Sequence, residues 1–487
     1  MTTTDQSCPR LVDYLCIVGN NDPGDSSPQL LARYPHTDHK DFPLPLDMVY
    51  FCQPDGCLWT CRRRPAAKER ASFVFTLTDK DSGITRFGIC LNFYRGVERR
   101  PGVSGGLANG KQSHRKQGQD QSYDSAFYSD SKNYSTVGPS DSDRDEKGPA
   151  LKDSDRPGFD AIFTATDVEG SQKAGFSRGK RREHSGRKNG KGNNGDGNQI
   201  KGTPIRNQGL TSLCLLSSHP FFTNFRECLS TLKKLIDACS NSNTRWRLGG
   251  GKGARGRGAD NVWAVMTGEG ADTASSFLLH DVREIETWIL RLLSAPVPIP
   301  GHTRLELEIM DRRFGPLLMF AFPDETRFSL CDYPLHLPLE LLGVDLSLQV
   351  LTLIMLERKV VIHSRDLNSL SLSILSLTSL LYPLQYMFPL IPILPTSMPG
   401  SEQLLLAPTP YVIGLPSSFL KYNKLPMVPD DVWLVDLDSA AIKPPTNPNT
   451  DSTIPSLPSP EGGFLKTQLK QVNLLLKTFM TLKGQNV

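Results

Sequence analysis

The feature that most constrains the fold of this chain is a leucine-rich stretch without a charged residue, Leu367 to Ser401. It is longer than the roughly 20 apolar residues that a membrane-spanning helix requires. However, prolines at 383, 389, 392 and 395 would interrupt such a helix, and serines repeat through its first half. We therefore expect a buried helix from Leu367 to Leu381, capped by Asp366 and stopped by Pro383, and then a sheet strand near Met387 to Leu394.

The residues around this stretch predict a parallel sheet. An apolar helix, Leu339 to Leu356, leads through a short charged turn into a continuous apolar strand, Val360 to His363. Such a strand is typical of a parallel sheet that is covered on both faces. Further strands are predicted at Thr303 to Met310, 407–415 and 430–438. The sequence thus predicts an α/β lobe with a mainly parallel sheet over residues 302–440, followed by a proline-rich tail, 441–487, with a final amphipathic helix from Phe464 to Leu482.

The N-terminal part predicts an antiparallel meander with one apolar face. β-branched and aromatic residues recur in four segments that we expect to be strands: 10–18, Val49 to Cys52, Ser72 to Thr78 and Thr85 to Tyr94. The residues DKDSG between the last two segments favour a hairpin loop, because aspartates accept local backbone hydrogen bonds and Gly83 supplies a positive φ. These strands are too few and too open-edged to form a stable sheet alone.

A long polar segment, residues 96–207, interrupts the meander. Gly, Ser, Asp, Lys and Arg dominate it and no period of 2 or 3.6 survives, so we expect a disordered, low-complexity insertion. The next strand candidate, Leu210 to Ser217, is expected to return to the same sheet. The N-terminal lobe is thus predicted to comprise residues 8–95 and 208–295. Its amphipathic helices are predicted at Phe221 to Ala238 and Phe277 to Leu293.

The formal net charge of +4 has a local origin. Basic residues cluster in Arg178 to Lys191 and in Arg245 to Arg257, which leaves the rest of the chain net negative. We therefore expect no folded part to carry a nucleic-acid-binding surface, and no nucleic-acid partner. The run from Arg178 to Lys191 is typical of a solvated linker; a nuclear signal or a contact with an anionic membrane is the narrower alternative.

The sequence contains no nucleophile elbow, P-loop, metalloprotease or kinase motif. The letters GKGARG within Gly249 to Gly258 match a dinucleotide fingerprint in form only, since no strand precedes them. His336 and His363 lie in apolar segments and are expected to be core or turn residues. For Asp436 and Asp438, a solvated strand end is favoured over a carboxylate site. No catalytic residue and no cofactor are predicted.

The cysteines are mostly embedded in apolar segments, and we expect reduced thiols that act as small hydrophobes. The closest cluster, Cys52, Cys57 and Cys61, has irregular spacing, and no second pair completes a tetrahedral zinc set, so no metal site is predicted. Reduced thiols agree with the opening of the chain, which lacks the features of a signal peptide. We expect a cytoplasmic protein, with peripheral contact at a plasma or vesicle membrane as a further option.

Three blocks in the second half resemble the central block of DENN domains: PLHLPLELLGVDLSLQVLTLIMLERKVVIHSRDLNSLS, LLYPLQYMFPLIPILP and LLLAPTPYVIGL. The upstream segments CPRLVDYLCIVG, FPLPLDMVYFCQPDGC and SFVFTLTDKDSGITRFGICLNFYR are similar to the upstream DENN segment. The similarity covers about residues 8–95 and 208–440. No downstream DENN segment is recognisable after Asp438.

This resemblance implies an α+β longin-like lobe followed by an α/β DENN lobe. It also implies guanine-nucleotide exchange on Rab small GTPases of exocytic or vesicle-trafficking type, with links to MAP kinase signalling and apoptosis regulation. An exchange factor needs no nucleophile or metal, because it acts by binding the switch segments of the GTPase. The alternative is a non-catalytic Rab-binding or signalling adaptor, since the downstream segment is not recognisable. No oligomeric state is predicted.

The loop that leaves the buried strand holds the candidate contacts for a GTPase. These are Arg365, Asp366 and Asn368. Loops at strand ends carry binding residues more often than the strands themselves. For Asp366 and Asn368, helix capping is the alternative interpretation, and Arg365 could equally be a plain surface residue.

Overall fold

The computed structural model describes most of the two predicted lobes. The described residues are 10–22, 25–60, 71–79, 83–96, 208–248, 261–268, 274–308, 317–324, 326, 330–422, 428–448 and 450–484. Three predictions therefore lie outside the described residues: the disordered insertion beyond Gly96, the basic run from Arg178 to Lys191 and the glycine-rich stretch from Gly249 to Gly258.

An antiparallel sheet forms the centre of the first lobe. Its strands lie in the order β2-β1-β6-β5-β4, and β3 pairs with the first two residues of β6. Their bounds are β1 Tyr14–Gly19, β2 Gln29–Tyr34, β3 Trp59–Thr60, β4 Ser72–Thr78, β5 Thr85–Gly96 and β6 Gln208–Ser217. Strand β6 lies between β1 and β5, in register with both. The prediction that the chain returns to the same sheet after residue 207 is confirmed.

Helices cover both faces of this sheet. They are α1 Met48–Cys52, α2 Phe222–Leu248, α3 Val262–Met266 and α4 Ser276–Leu293. Alternate residues of β1 belong to two separate apolar cores: Leu15 and Ile17 pack with α2, α3 and α4, whereas Tyr14, Cys16 and Val18 pack with α1. This alternation is what a strand buried on both faces requires.

The predicted strand at Val49 to Cys52 is wrong, because these residues form helix α1. Its buried side chains are Met48, Val49 and Cys52, which share one helical face. A short apolar run has no periodicity that separates a buried strand from a buried helix.

A mainly parallel sheet forms the centre of the second lobe, in the order β10-β11-β9-β12-β13. The bounds are β9 Val360–Ser364, β10 Leu390–Ile391, β11 Val412–Pro416, β12 Trp433–Asp436 and β13 Ala441–Lys443. Strands β9 to β12 are parallel, and β13 pairs antiparallel with β12. Apolar side chains pack against both faces, as predicted. Residues 441–443 were predicted to belong to the proline-rich tail, but they form strand β13, so the sheet continues past residue 440.

The helices of this lobe differ in detail from the prediction. They are α5 Leu337–Leu341, α6 Gly343–Met355, α7 Leu367–Ser379, α8 Phe419–Tyr422 and α9 Glu461–Gly484, and a short hairpin, β7 Leu305–Leu307 with β8 Leu318–Phe320, precedes them. The single helix predicted from Leu339 to Leu356 is two helices, α5 and α6. Gly343, the first residue of α6, has a positive φ of 79°, and this change of backbone conformation ends the first helix. The strand predicted near Met387 to Leu394 is shorter, because only β10 pairs with a neighbour.

Helix α7 forms the first part of the uncharged stretch from Leu367 to Ser401, and it is buried between the two lobes. Leu372 and Leu375 belong to the core of the first lobe. Leu370, Ile374 and Leu377 belong to the core of the second. Among the helices of the described residues, none is both long and apolar enough to cross a bilayer. Helix α7 is therefore interior that the two lobes share, as the prediction of a buried helix required. The residues that follow it differ, because Tyr382, Leu384 and Met387 are exposed.

The two ends of the segment 97–207 meet at neighbouring points of the sheet, since Gly96 faces Gln208 in the β5–β6 ladder. We expect a variant in which a short Asn-Gly turn replaces residues 97–207 to unfold at the same or a slightly higher temperature. The reason is that a shorter loop costs less to close, by about 0.6 kcal/mol per halving of its length. Thermal denaturation followed by circular dichroism measures this.

A matched control extends the deletion to Leu210 and so removes residues of the ladder; it should unfold at a clearly lower temperature. A fall of several degrees in the first variant would contradict the prediction.

Candidate functional site

The carboxyl ends of parallel strands β9, β11 and β12 lie at one edge of the second sheet. Loops that follow such strands are the usual place for binding sites in parallel sheets. The loop after β9 contains Arg365 and Asp366, the loop after β12 contains Asp438, and the loop after β11 contains Ser418. The sequence-predicted candidates are thus located together at this edge.

Asp438 connects the loop after β12 with the loop after β9. Its carboxylate accepts hydrogen bonds from Ser364 Oγ at 2.9 Å, Arg365 N at 3.1 Å and Arg365 Nε at 2.9 Å. The Arg365 side chain is nevertheless 75% exposed. Its guanidinium is held in place on one side and is open to a partner on the other.

Asp366 caps helix α7. Its side chain accepts a hydrogen bond from Ser369 N at 2.9 Å, and its own N–H donates to Ser364 Oγ at 3.1 Å. The capping interpretation of this residue is therefore confirmed. Asp366 has a structural role whether or not it also contacts a partner.

Asn368 joins the two lobes. Its Oδ1 accepts a hydrogen bond from Nη2 of Arg226, which lies on helix α2 of the first lobe. Burial lowers the pKa of Arg226, and the carboxylates of Asp332 and Asp366 act in the opposite direction. Arg226 was not predicted from the sequence. The sequence around it shows only that a charged residue follows Phe225, which is buried on an amphipathic helix. That pattern does not indicate a contact with the other lobe.

Three further hydrogen bonds bring the first lobe to the same sheet edge. Ser418 Oγ donates to Asp55 Oδ1, and Ser397 N donates to Pro54 O at 2.9 Å. Ser397 Oγ also donates to Gln53 O, at 3.1 Å. The segment after α1 and the start of α2 therefore both lie against the loops of the second sheet. The candidate surface belongs to both lobes.

His363 and Asp436 lie beside this edge. Burial lowers the pKa of His363 from its ordinary value of 6.5, while Asp436, 3.9 Å from its Nε2, and Asp438 act in the opposite direction. Asp436 accepts hydrogen bonds from the backbone of Asp438 and Ser439 and from the Ser439 hydroxyl, at 2.9, 3.2 and 2.6 Å. It therefore organises a turn, and the two aspartates do not form a shared carboxylate site.

His336 is half-buried at the start of α5, with its Nε2 3.9 Å from Glu340. It is a turn residue, as predicted. Within the part of the chain that the structure describes, one group of side chains has the chemistry and spacing of metal ligands: Cys52, Cys90 and Cys214. These thiols lie in the apolar core of the first lobe that contains α1.

The role of Asp366 can be tested through stability. Replacing it with alanine removes the cap of α7 and should lower the free energy of unfolding by about 1 kcal/mol. Replacing it with serine, which also caps helices well, should restore most of that loss. Chemical denaturation of the three proteins measures both effects, and equal stabilities of the alanine and serine variants would show that the cap contributes nothing.

Two half-buried histidines make stability depend on pH. Burial lowers the pKa of both His363 and His219 below 6.5, so the folded state binds fewer protons than the unfolded state. Stability is then complete above about pH 6.5 and falls as the pH is lowered below it. We expect His363→Gln to flatten this fall, as measured by unfolding at pH 7.5 and pH 5.5.

The control for this comparison is the same substitution at an exposed position, His302→Gln. An unchanged slope in His363→Gln would exclude His363 as a source of the effect.

Family comparisons agree with this two-lobed architecture. A DENN (AEX-3) domain matches residues 209–440, and a uDENN domain matches residues 28–93. The chain is similar to three proteins named MAP kinase-activating death domain protein. The Drosophila melanogaster protein is 48% identical over 95% of this chain and 24% of its own length. The Mus musculus protein is 46% identical and the Caenorhabditis elegans protein 38% identical, each over 95% of this chain and 27% of its own length.

The chain therefore spans about a quarter of the length of these relatives. The uDENN match falls in the antiparallel sheet of the first lobe. The DENN match begins in β6 and ends just before β13, so it includes α2, α7 and the parallel strands of the second lobe. With both segments present and an α/β architecture that accommodates them, the chain belongs to the DENN-domain family.

Proposed function

We propose that this chain is a guanine-nucleotide exchange factor for Rab small GTPases. The observation that carries the proposal is the presence of a uDENN and a DENN segment in two lobes that share one buried helix. Shared packing of this kind fixes the relative position of the lobes. A GTPase could therefore be held by loops of both at the carboxyl edge of the second sheet.

Exchange of nucleotide requires no covalent chemistry from the exchange factor. The factor must bind the GTPase more tightly when nucleotide and Mg²⁺ have left, because only this difference in affinity accelerates release. Such a catalyst needs a rigid, shaped surface more than it needs reactive groups. The hydrogen bonds of Asp438 and of Arg226 give the candidate edge that rigidity.

Arg365 is the best candidate for direct contact, since its guanidinium is exposed and oriented by Asp438. Asp366 and Asn368 are better described as positioning residues. The first caps α7 and the second joins α7 to the other lobe. Of the three contacts predicted from the sequence, we therefore propose that Arg365 touches the GTPase, and that Asp366 and Asn368 hold the loop and helix α7 in place.

We further propose that the Rabs on which it acts are of exocytic or vesicle-trafficking type. The protein would then also take part in MAP kinase signalling and apoptosis regulation. Both proposals are supported by similarity to relatives named MAP kinase-activating death domain protein. Peripheral contact with an anionic membrane would use the run from Arg178 to Lys191, outside the described residues. A non-catalytic Rab-binding or signalling adaptor is the second candidate, because the hydrogen-bonded loops of the carboxyl edge could hold a partner without accelerating nucleotide release.

A nucleotide-release assay tests the proposal. The purified chain is added to a panel of Rabs loaded with fluorescent GDP, and release is followed with excess GTP. We expect faster release from at least one Rab, and a loss of about tenfold in Arg365→Ala, which corresponds to about 1.4 kcal/mol. Binding without faster release would leave only the adaptor.

The matched control is Arg358→Ala. Arg358 is also a surface arginine paired with an aspartate, Asp451, but it precedes β9 and so lies at the opposite edge of the sheet. It should leave the exchange rate unchanged. If both variants lost the same fraction of the exchange rate, the effect would come from the loss of one positive charge at any position, and not from the carboxyl edge of the sheet.

A further inference from the structure

A row of cysteines crosses the centre of the first sheet. Cys16 of β1 faces Cys214 of β6, and Cys214 faces Cys90 of β5 on its other side. All three are fully buried and point to the same face, where they join the core that contains α1. Directly opposed residues on neighbouring strands have their Cβ atoms about 5 Å apart.

Helix α1 adds a fourth thiol from above the sheet. Cys52 is the last residue of that helix and is fully buried. The Sγ atoms of Cys52, Cys90 and Cys214 all lie within 4.8 Å of one another. Thiols from three elements that are distant in sequence thus converge on one point.

Polar groups fix Cys52 in this position. Its carbonyl oxygen accepts hydrogen bonds from Asn92 Nδ2 at 3.1 Å and from Ser212 Oγ at 3.4 Å. Gln53 Nε2 donates to Ser212 Oγ at 3.2 Å and to Leu210 O at 3.2 Å. Asn92 and Ser212 are two residues from Cys90 and Cys214 and face each other in the ladder. The end of α1 is therefore tied to the same strands that carry the other two thiols.

The remaining buried cysteines outside this row lie apart from the convergent group. Cys228 and Cys239 lie on α2 in the other core of the lobe, among aliphatic and aromatic side chains. Cys57 donates a hydrogen bond to Leu210 O at 3.5 Å and is not a member of the convergent group. A general preference of cysteine for buried positions therefore does not account for three sulfur atoms at one point.

We propose that Cys52, Cys90 and Cys214 form a buried three-sulfur binding site for a thiophilic d¹⁰ cation, Zn²⁺ or Cu⁺. Sulfur is the preferred donor of both ions. With metal–sulfur bonds of about 2.3 Å, bound sulfurs are about 3.8–4.0 Å apart. The thiols need to approach one another by no more than about 1 Å to reach this spacing.

Binding replaces thiol protons with the metal ion. Burial raises the pKa of Cys52, Cys90 and Cys214 well above the ordinary value of 9, so the free thiols stay protonated near neutral pH. Each ligand releases one proton to solvent as its sulfur bonds to the cation, without any change in oxidation state. The bound ion would fasten α1 to β5 and β6.

Metal content tests the proposal. The full chain is purified without chelator under reducing conditions, then stripped and reconstituted with Zn²⁺ or with Cu⁺. We expect about one equivalent of metal by mass spectrometry, and a thiolate-to-metal charge-transfer band when Cd²⁺ is the probe. Failure of the wild-type chain to retain either metal, together with absence of the band, would overturn the proposal whatever the variants do.

Variants locate the site. Cys90→Ser and Cys214→Ser should each weaken binding at least tenfold, whereas Cys228→Ser and Cys239→Ser should bind as the wild type does. Retention of metal in the first pair would overturn the proposal. Cys16→Ser is a closer control, because Cys16 lies on the same face of the sheet but two strands from Cys90. This variant should also bind metal as the wild type does, and loss of metal from it would contradict the three-sulfur site.

Discussion

The burial of helix α7 between two separate cores is the constraint on which the arrangement of the lobes depends. Its leucines divide between the first lobe and the second, and a fully buried leucine contributes about 1.5–3 kcal/mol. Two of its buried serines donate hydrogen bonds to backbone oxygens, Ser371 Oγ to Asn368 O and Ser376 Oγ to Pro334 O, whereas the buried Ser373 Oγ has no partner among the described residues. The small size of these serines lets both lobes approach the same helix.

The rigidity of the candidate surface follows from this arrangement. Asp366, at the start of α7, and Asn368, in its first turn, are fixed by the helix itself and by Arg226 of the other lobe. Asp438 then holds the loop before α7 to the neighbouring strand. A binding surface built on loops is thereby attached to a buried element, which limits the conformational entropy that a partner must overcome on binding.

Local patterns predicted those parts of the fold that depend on neighbouring residues. Strand Ser72–Thr78, the apolar strand from Val360 and the cap at Asp366 each have a signal within a few residues. Helix α1 was missed because a five-residue apolar run fits either structure, and β13 because three residues give no period. Arg226 and the convergence of Cys52, Cys90 and Cys214 could not be read from spacing, since the fold unites segments far apart in the chain.

The attachment of α9 is of a different kind from that of α7. Leu469 packs beside Leu339, Val344 and Leu348 of α5 and α6, and Lys466 and Lys470 pair with Asp345, but most of the helix faces solvent. Exposed ion pairs and a narrow apolar stripe contribute little free energy. Helix α9 is therefore a unit of low local stability, whose amides should exchange with solvent long before the cores open. Its transient release would uncover the leucines of α5 and α6 while the two lobes stay folded.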